Sequence, residues 1–198
     1  MKEGLEESYP STKGKVHVVG QPVPIWLLNS GIKRITRNNN KSNLQLIYPS
    51  SGYSHKNHKL LSKINPNENY PISEIIITID KHLNPARNIP WVKCVGFLSS
   101  QELIKIYSCV DGLIFLSKEE SYGFPLVEAM FIGLPIICPD LPYARSLCGD
   151  KAIYFDPDSP ESLMLAIKKL KKMLDSGWWP SWSNQMKNIP SNWDIVAR

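Results

Sequence analysis

The sequence predicts an α/β protein built on a Rossmann-like, doubly wound parallel sheet. From Leu44 onward, short apolar runs alternate with amphipathic segments. The runs, such as SEIIITI, GLIFLS and LPIIC, are apolar on both faces, as expected of strands covered by helices on either side. Sixteen prolines in 198 residues also punctuate the chain too often for a bundle of long helices.

Taken in order, residues 1–24 are polar and then reach KVHVVGQPVP, where Val16, Val18 and Val19 predict one brief strand closed by prolines. Residues 25–43, polar and basic with the Asn38–Asn40 run, read as a mobile linker. The main domain spans 44–176. It opens with LQLIYP as strand, HKNHKLLSKI as helix, SEIIITI and WVKCVGF as strands, and SSQELIKIYSCV as helix. GLIFLS, FPLVEAMFIG, LPIIC, ARSLC, AIYF and PESLMLAIKKLKKML continue the alternation. Ser99 and Ser100 ahead of Gln101 and Glu102 form an N-cap pattern, and Asp158 or Ser159 precedes Pro160 at the first position of the last helix. Leu163, Ile167, Leu170 and Leu174 make the buried stripe of that helix. Residues 177–198 hold four of the six tryptophans and predict a short helical segment docked through its indoles.

Several function classes are disfavoured. The net charge of +5 is scattered, with no basic block beyond Lys168–Lys172, so nucleic acid is not expected as a partner. The same basic helix allows at most peripheral contact with anionic lipid. No apolar run nears the roughly 18 residues of a spanning helix, and the acidic, polar start differs from a secretory signal. A cytoplasmic protein is expected, with the inner membrane face as its outer limit. Cys94, Cys109, Cys138 and Cys148 lack metal spacing and read as buried free thiols.

The segment from Ser117 to Pro139 carries the chemistry. It follows a buried strand, turns at Gly123 and enters a helix with Pro125 near its start. In open α/β sheets such turns lie at the carboxyl ends of strands, where ligands bind. Glu128 stands in a helix otherwise made of Leu, Val, Ala, Met, Phe and Ile, where a desolvated carboxylate needs a partner. It either occupies a wet stripe of that helix or, with Glu120 eight positions earlier, borders a cleft. Amides near Gly123 and Phe124 would then face an anion between the two acids. This set suits a sugar nucleotide; two carboxylates also suit a glycosidase, which has no use for a phosphate cradle.

Glu120-Ser-Tyr-Gly-Phe-Pro-Leu-Val-Glu128, followed by Ala129-Met130 and Gly133-Leu134-Pro135-Ile136-Ile137, resembles the E-x7-E signature of family-4 retaining glycosyltransferases of the GT-B fold. The likeness runs from Leu44 to about Ile167, with a weaker trace at KVHVVGQPVP. It implies the C-terminal, donor-binding half of a GT-B enzyme. By resemblance, Glu120 is the catalytic-site acid at the donor sugar's hydroxyls and Glu128 holds the ribose diol. Lys56, flanked by His55 and Asn57 in a phosphate loop, neutralises the diphosphate, and Phe97 and Leu98 lie where the main chain meets the nucleobase. The implied reaction is hexose transfer with retention from a nucleotide sugar to a glycan or lipid-linked acceptor. The nucleotide sugar is the substrate, no cofactor or metal is required, and a separate N-terminal GT-B domain is the expected partner.

The sequence departs from the family pattern in two places. Pro49-Ser50-Ser51-Gly52 lacks the arginine that often precedes the phosphate lysine, and Ser146 stands where an acid is common. Two other classes of function stay open at this level. One is a non-catalytic nucleotide-sugar-binding module. The other is an interaction protein, which predicts exposed Trp26, Trp178, Trp179 and Trp182.

Overall fold

Each predicted apolar run from Leu44 onward becomes a strand of one sheet in the computed structural model, which describes residues 2–32 and 42–196. The strands are β1 (Leu44–Tyr48), β2 (Ile72–Ile77), β3 (Val92–Cys94), β4 (Gly112–Ile114), β5 (Ile136–Pro139) and β6 (Ile153–Phe155). Their order is β3-β2-β1-β4-β5-β6 and every pairing is parallel. The order reverses between β1 and β4, so the chain leaving their carboxyl ends turns to opposite sides along the sheet, and the crevice this opens is the general ligand position of such sheets. Leu46, Ile47, Ile75, Ile77, Leu113, Ile114 and Ile137 are fully buried, which explains their continuous apolar runs. Gly112 permits this packing, since a Cβ there would lie 3.0 Å from the Pro135 carbonyl oxygen on the neighbouring chain segment.

The helices are α1 (Lys2–Ser8), α2 (Ile25–Leu28), α3 (Ser100–Tyr107), α4 (Phe124–Ile132), α5 (Pro142–Cys148), α6 (Pro160–Asp175), α7 (Ser183–Met186) and α8 (Trp193–Val196). The cap signals hold. Ser99 and Glu102 form a reciprocal capping box on α3, and Ser159, not Asp158, caps α6 by accepting from the Ser162 amide. The α6 stripe Leu163, Ile167, Leu170 and Leu174 is buried against the sheet.

The structure departs from the sequence reading at four points. His55–Ile64 does not form an α-helix but two 3-10 turns, Ser54–Lys56 and His58–Lys63. Asn57 separates them in a left-handed conformation (φ 57°), and its side-chain amide donates to the Pro157 carbonyl (2.9 Å), a tertiary bond that local periodicity does not reveal. Val16–Val19 forms no strand, because no neighbouring strand pairs with it among the described residues. Cys109 is exposed, two residues past the end of α3, while Cys94, Cys138 and Cys148 are buried. Trp182 is buried, and Trp26, Trp178 and Trp179 are partly buried against the core, so the exposed tryptophan face required by the interaction reading does not exist. Of the predicted linker, Leu27 in α2 is fully buried, and residues 33–41, with the Asn38–Asn40 run, lie outside the described residues.

The C-terminal indoles serve α4. Trp179 Nε1 donates to the Gly133 carbonyl (2.7 Å) and Trp182 Nε1 to the Leu134 carbonyl (2.8 Å), at the end of that helix where carbonyls lack helical partners. The segment from Trp178 therefore fixes the helix that presents Glu128.

Candidate functional site at the sheet's switch point

Two loops leave the reversal point of the sheet, one after β1 and one after β4, and they meet. Lys56, on the first, places its Nζ 2.5 Å from Glu120 Oε1 on the second, with the side chains only 16% and 10% exposed. The loops are stitched by the main chain as well. The His55 carbonyl accepts from the Lys118 amide (2.8 Å) and from Ser117 Oγ (3.3 Å). Beneath them, Tyr48 at the end of β1 donates its hydroxyl to the Lys56 carbonyl (2.9 Å). Tyr48 is fully buried between the His58 ring (5.0 Å) and the Phe115 ring (5.5 Å, edge-on), and burial pushes its phenol pKa up, keeping it a neutral donor.

His58 is buried with Nε2 2.8 Å from Ser50 Oγ. Burial, assisted by the nearby Lys56 charge, lowers its pKa to about 4, so the ring is neutral at pH 7 and adds no charge to the site. Its hydrogen bond to Ser50 and its ring contact with Tyr48 occupy it as a support of the loop.

Gly123 opens α4 with φ 95° and ψ 53°, a left-handed conformation that permits the sharp entry into the helix. A Cβ there would lie 3.3 Å from Leu126 Cδ1 and 3.4 Å from Leu147 Cδ1. Among the described residues the amides of Gly123 and Phe124 have no acceptor, and Pro125 has no N–H to satisfy. These amides supply the positive end of a nine-residue helix dipole. Phe124 is 38% exposed, and its ring meets Tyr122 edge-on at 5.3 Å.

Glu128 lies one helical face deeper. It is buried and accepts a hydrogen bond from the Tyr107 hydroxyl at 2.7 Å. Desolvation raises its pKa, and the Tyr107 bond opposes that rise. Among the described residues no ion pair or hydrogen bond joins it to Lys56 or Glu120. The structure thus brings Lys56 and Glu120 into contact and holds Glu128 separately, through α3. Phe97, 91% exposed, and the partly buried Leu98 follow Gly96 (φ 78°) at the carboxyl end of the edge strand β3.

Tyr48 and Tyr107 escaped the sequence reading. A signal for Tyr107 existed: a tyrosine on the apolar face of a helix needs a hydroxyl partner, as Glu128 needed a donor, and each satisfies the other. The cation nearest Glu120 in sequence is Lys118, two residues earlier. It is 41% exposed and paired with Asp158 on the loop after β6.

A lysine, two free amides and two carboxylates at the switch point of a parallel sheet define a site for an anionic, hydroxyl-bearing ligand. The profile of the family "Glycosyl transferases group 1" matches residues 32–176, well over half of the chain, and the chain belongs to that family. It is 33% identical over 79 residues to the O-antigen chain mannosyltransferase RfbU of Salmonella typhimurium, a match covering 40% of this chain and 22% of that protein. It is 25% identical over 88 residues to O-antigen chain mannosyltransferase B of Escherichia coli, covering 44% and 23%. The matches therefore span less than a quarter of those relatives' lengths. Among solved structures, a glycosyltransferase from Rickettsia africae superposes with a TM-score of 0.70 at 17% identity, covering 96% of this chain and 57% of that one. The sucrose-phosphate synthase of Thermosynechococcus elongatus superposes at 0.69 and 16%, covering 99% and 53%. The shared fold is the Rossmann-like half of the GT-B glycosyltransferases. Among the described residues, no helix is long and apolar enough to cross a membrane.

Proposed function

We propose that this chain is the donor-binding half of a retaining glycosyltransferase that moves a hexose from a nucleotide sugar to a glycan or lipid-linked acceptor. The observation that carries the reading is the Lys56–Glu120 contact across the switch point, beside the free amides at the start of α4. In this reading a donor diphosphate takes Lys56 from Glu120 and sits against the amides of Gly123 and Phe124. Glu120, released, accepts from the sugar's hydroxyls, and Glu128, steadied by Tyr107, accepts from the ribose diol. Phe97 and Leu98 border the base. The curated relatives named as mannosyltransferases favour mannose as the hexose.

Departure of a nucleoside diphosphate develops negative charge on the leaving oxygens, which Lys56 and the helix amides stabilise. The leaving phosphate in turn accepts the proton of the attacking hydroxyl on the same face of the sugar, which keeps the anomeric configuration. Orienting that hydroxyl is a separate task, and we assign it to an N-terminal GT-B domain as partner, without which transfer is not expected. The site of action in this proposal is the cytoplasm, where nucleotide sugars are available, at or near the inner membrane face.

Titration of the purified chain with UDP, GDP and ADP, followed by Trp fluorescence and melting temperature, tests the reading. Saturable binding of one nucleotide, weakened in Lys56→Ala and Glu128→Ala, is expected. A folded chain that binds none of the three, with or without the attached sugar, would overturn it.

A further inference from the structure

Lys56 sits in a stretch of main chain that is tied to other parts of the molecule at three consecutive residues. The His55 carbonyl accepts from the Lys118 amide (2.8 Å) on the loop after β4, and the Lys56 carbonyl accepts from the Tyr48 hydroxyl (2.9 Å) at the end of β1. The third tie runs to the far side of the sheet. Asn57 Nδ2 donates to the Pro157 carbonyl (2.9 Å) in the turn between β6 and α6, although β4 and β5 separate β1 from β6 in the strand order. That turn is a firm anchor: the Asp156 amide donates to Ser162 Oγ (2.9 Å), the Asp158 amide donates to Asp156 Oδ1 (2.9 Å), and Ser159 caps α6. Lys118 pairs with Asp158, so the same turn also holds the loop that carries Glu120.

Asn57 is also, among the described residues, the one non-glycine residue with a positive φ, at 57°. Glycine takes up that conformation without strain, and asparagine does so at a modest cost. A side chain kept in a conformation that suits glycine, with its amide committed to a carbonyl a hundred positions away, points to a task for that bond. The residue just before it supplies the task. A lysine has many side-chain rotamers to lose when its ammonium is bound, and a main chain fixed on both sides of Lys56 reduces the ways in which that side chain can miss Glu120.

We propose that Asn57 is a positioning residue that aims Lys56: its hydrogen bond to the Pro157 carbonyl fixes the main chain on the C-terminal side of the lysine, so that Nζ lies against Glu120 in the free chain and against a diphosphate in the loaded one. Asn57 acts through Lys56, not by touching the ligand. The diphosphate half of this role rests on the function proposed above, whereas the aim at Glu120 does not.

Urea unfolding and calorimetric titration of the whole chain test both halves. Asn57→Gly removes the donor and keeps the left-handed backbone free of strain, and Asn57→Ser, whose side chain is too short for the carbonyl, guards against an effect of glycine flexibility alone. In either background the coupling between Lys56→Met and Glu120→Gln, measured by a four-member cycle, is expected to fall to less than about half its value in the wild-type chain. Inorganic pyrophosphate is expected to bind about three- to tenfold more weakly to Asn57→Gly than to the wild type, and to lose less than about twofold more when Asn57→Gly is added to Lys56→Met. A merely structural tie lowers the urea midpoint, leaves the coupling intact and weakens pyrophosphate equally with and without Lys56. Unchanged coupling, no coupling in the wild-type chain, or equal pyrophosphate losses in the two backgrounds would overturn the inference. If the coupling falls but the wild-type chain binds neither pyrophosphate nor a nucleoside diphosphate, the function proposed above fails and the aim of Lys56 at Glu120 stands.

Discussion

Lys56 and Glu120, 64 positions apart in the chain, meet at 2.5 Å where the strand order of the sheet reverses. Neither side chain is more than 16% exposed, so each neutralises a charge that water reaches poorly. Removing one partner strands the other. Lys56→Met and Glu120→Gln are each expected to destabilise the chain by about 1–3 kcal/mol, and the double variant by clearly less than their sum. Urea unfolding of the four-member cycle measures the coupling, and strict additivity would show the pair to be energetically idle.

The same contact predicts competition. If a diphosphate takes over Lys56, then Glu120→Gln frees the lysine and leaves inorganic pyrophosphate or a nucleoside diphosphate bound as well as before or better. Lys56→Met is expected to weaken either by about tenfold or more. Isothermal titration of both variants distinguishes this from a purely structural ion pair, which predicts equal losses.

Tyr107→Phe removes the donor to Glu128 and leaves a buried carboxylate oxygen without a partner, an expected loss of about 1–3 kcal/mol. Glu128→Gln acts in the opposite direction on pH dependence. Because the folded-state pKa of Glu128 is raised, the folded protein holds that proton more tightly than the unfolded chain, and stability falls as pH rises from the ordinary carboxylate range through the raised value. In Glu128→Gln that decline is absent and melting temperature at neutral pH rises, while nucleotide affinity drops. A parallel pH series of melting curves checks the sign.

His58 gives the complementary slope. Its pKa near 4 lies below the ordinary value of about 6.5, so the unfolded chain takes up a proton first as pH falls. The stability it contributes is complete above about pH 6.5 and is lost as pH falls toward 4, by up to about 3 kcal/mol. His58→Gln should flatten the stability profile between pH 4 and 6.5, as read by denaturant unfolding at each pH.

Gly123→Ala places a side chain where φ is 95° and meets Leu126 and Leu147 within 3.4 Å. Destabilisation of about 1–2 kcal/mol is expected from the backbone alone, since the two leucine side chains can yield. If the amides ahead of Pro125 hold an anion, nucleotide affinity falls as well, which thermal melts with and without nucleotide would reveal.

The chain by itself determined the sheet class and the helix caps. Strands buried on both faces must be apolar throughout, and Ser99, Ser159 and Pro160 act on amides within a few residues of themselves, so these features are local. Glu120 and Glu128 were legible for a related reason, since acids in so apolar a segment need a role. Only the tertiary structure decided which groups meet. Lys56 reaches Glu120 because β1 and β4 are neighbours in the sheet, and Glu128 reaches Tyr107 because α3 and α4 bring them together. The 3-10 turns around Asn57 are tied to the Pro157 carbonyl a hundred positions away, and the indoles of Trp179 and Trp182 turn inward to carbonyls at the end of α4 that need donors. Periodicity reports which face of an element is buried; it carries no information on which distant residue lies against that face, and that is set by the packing free energy of the whole chain.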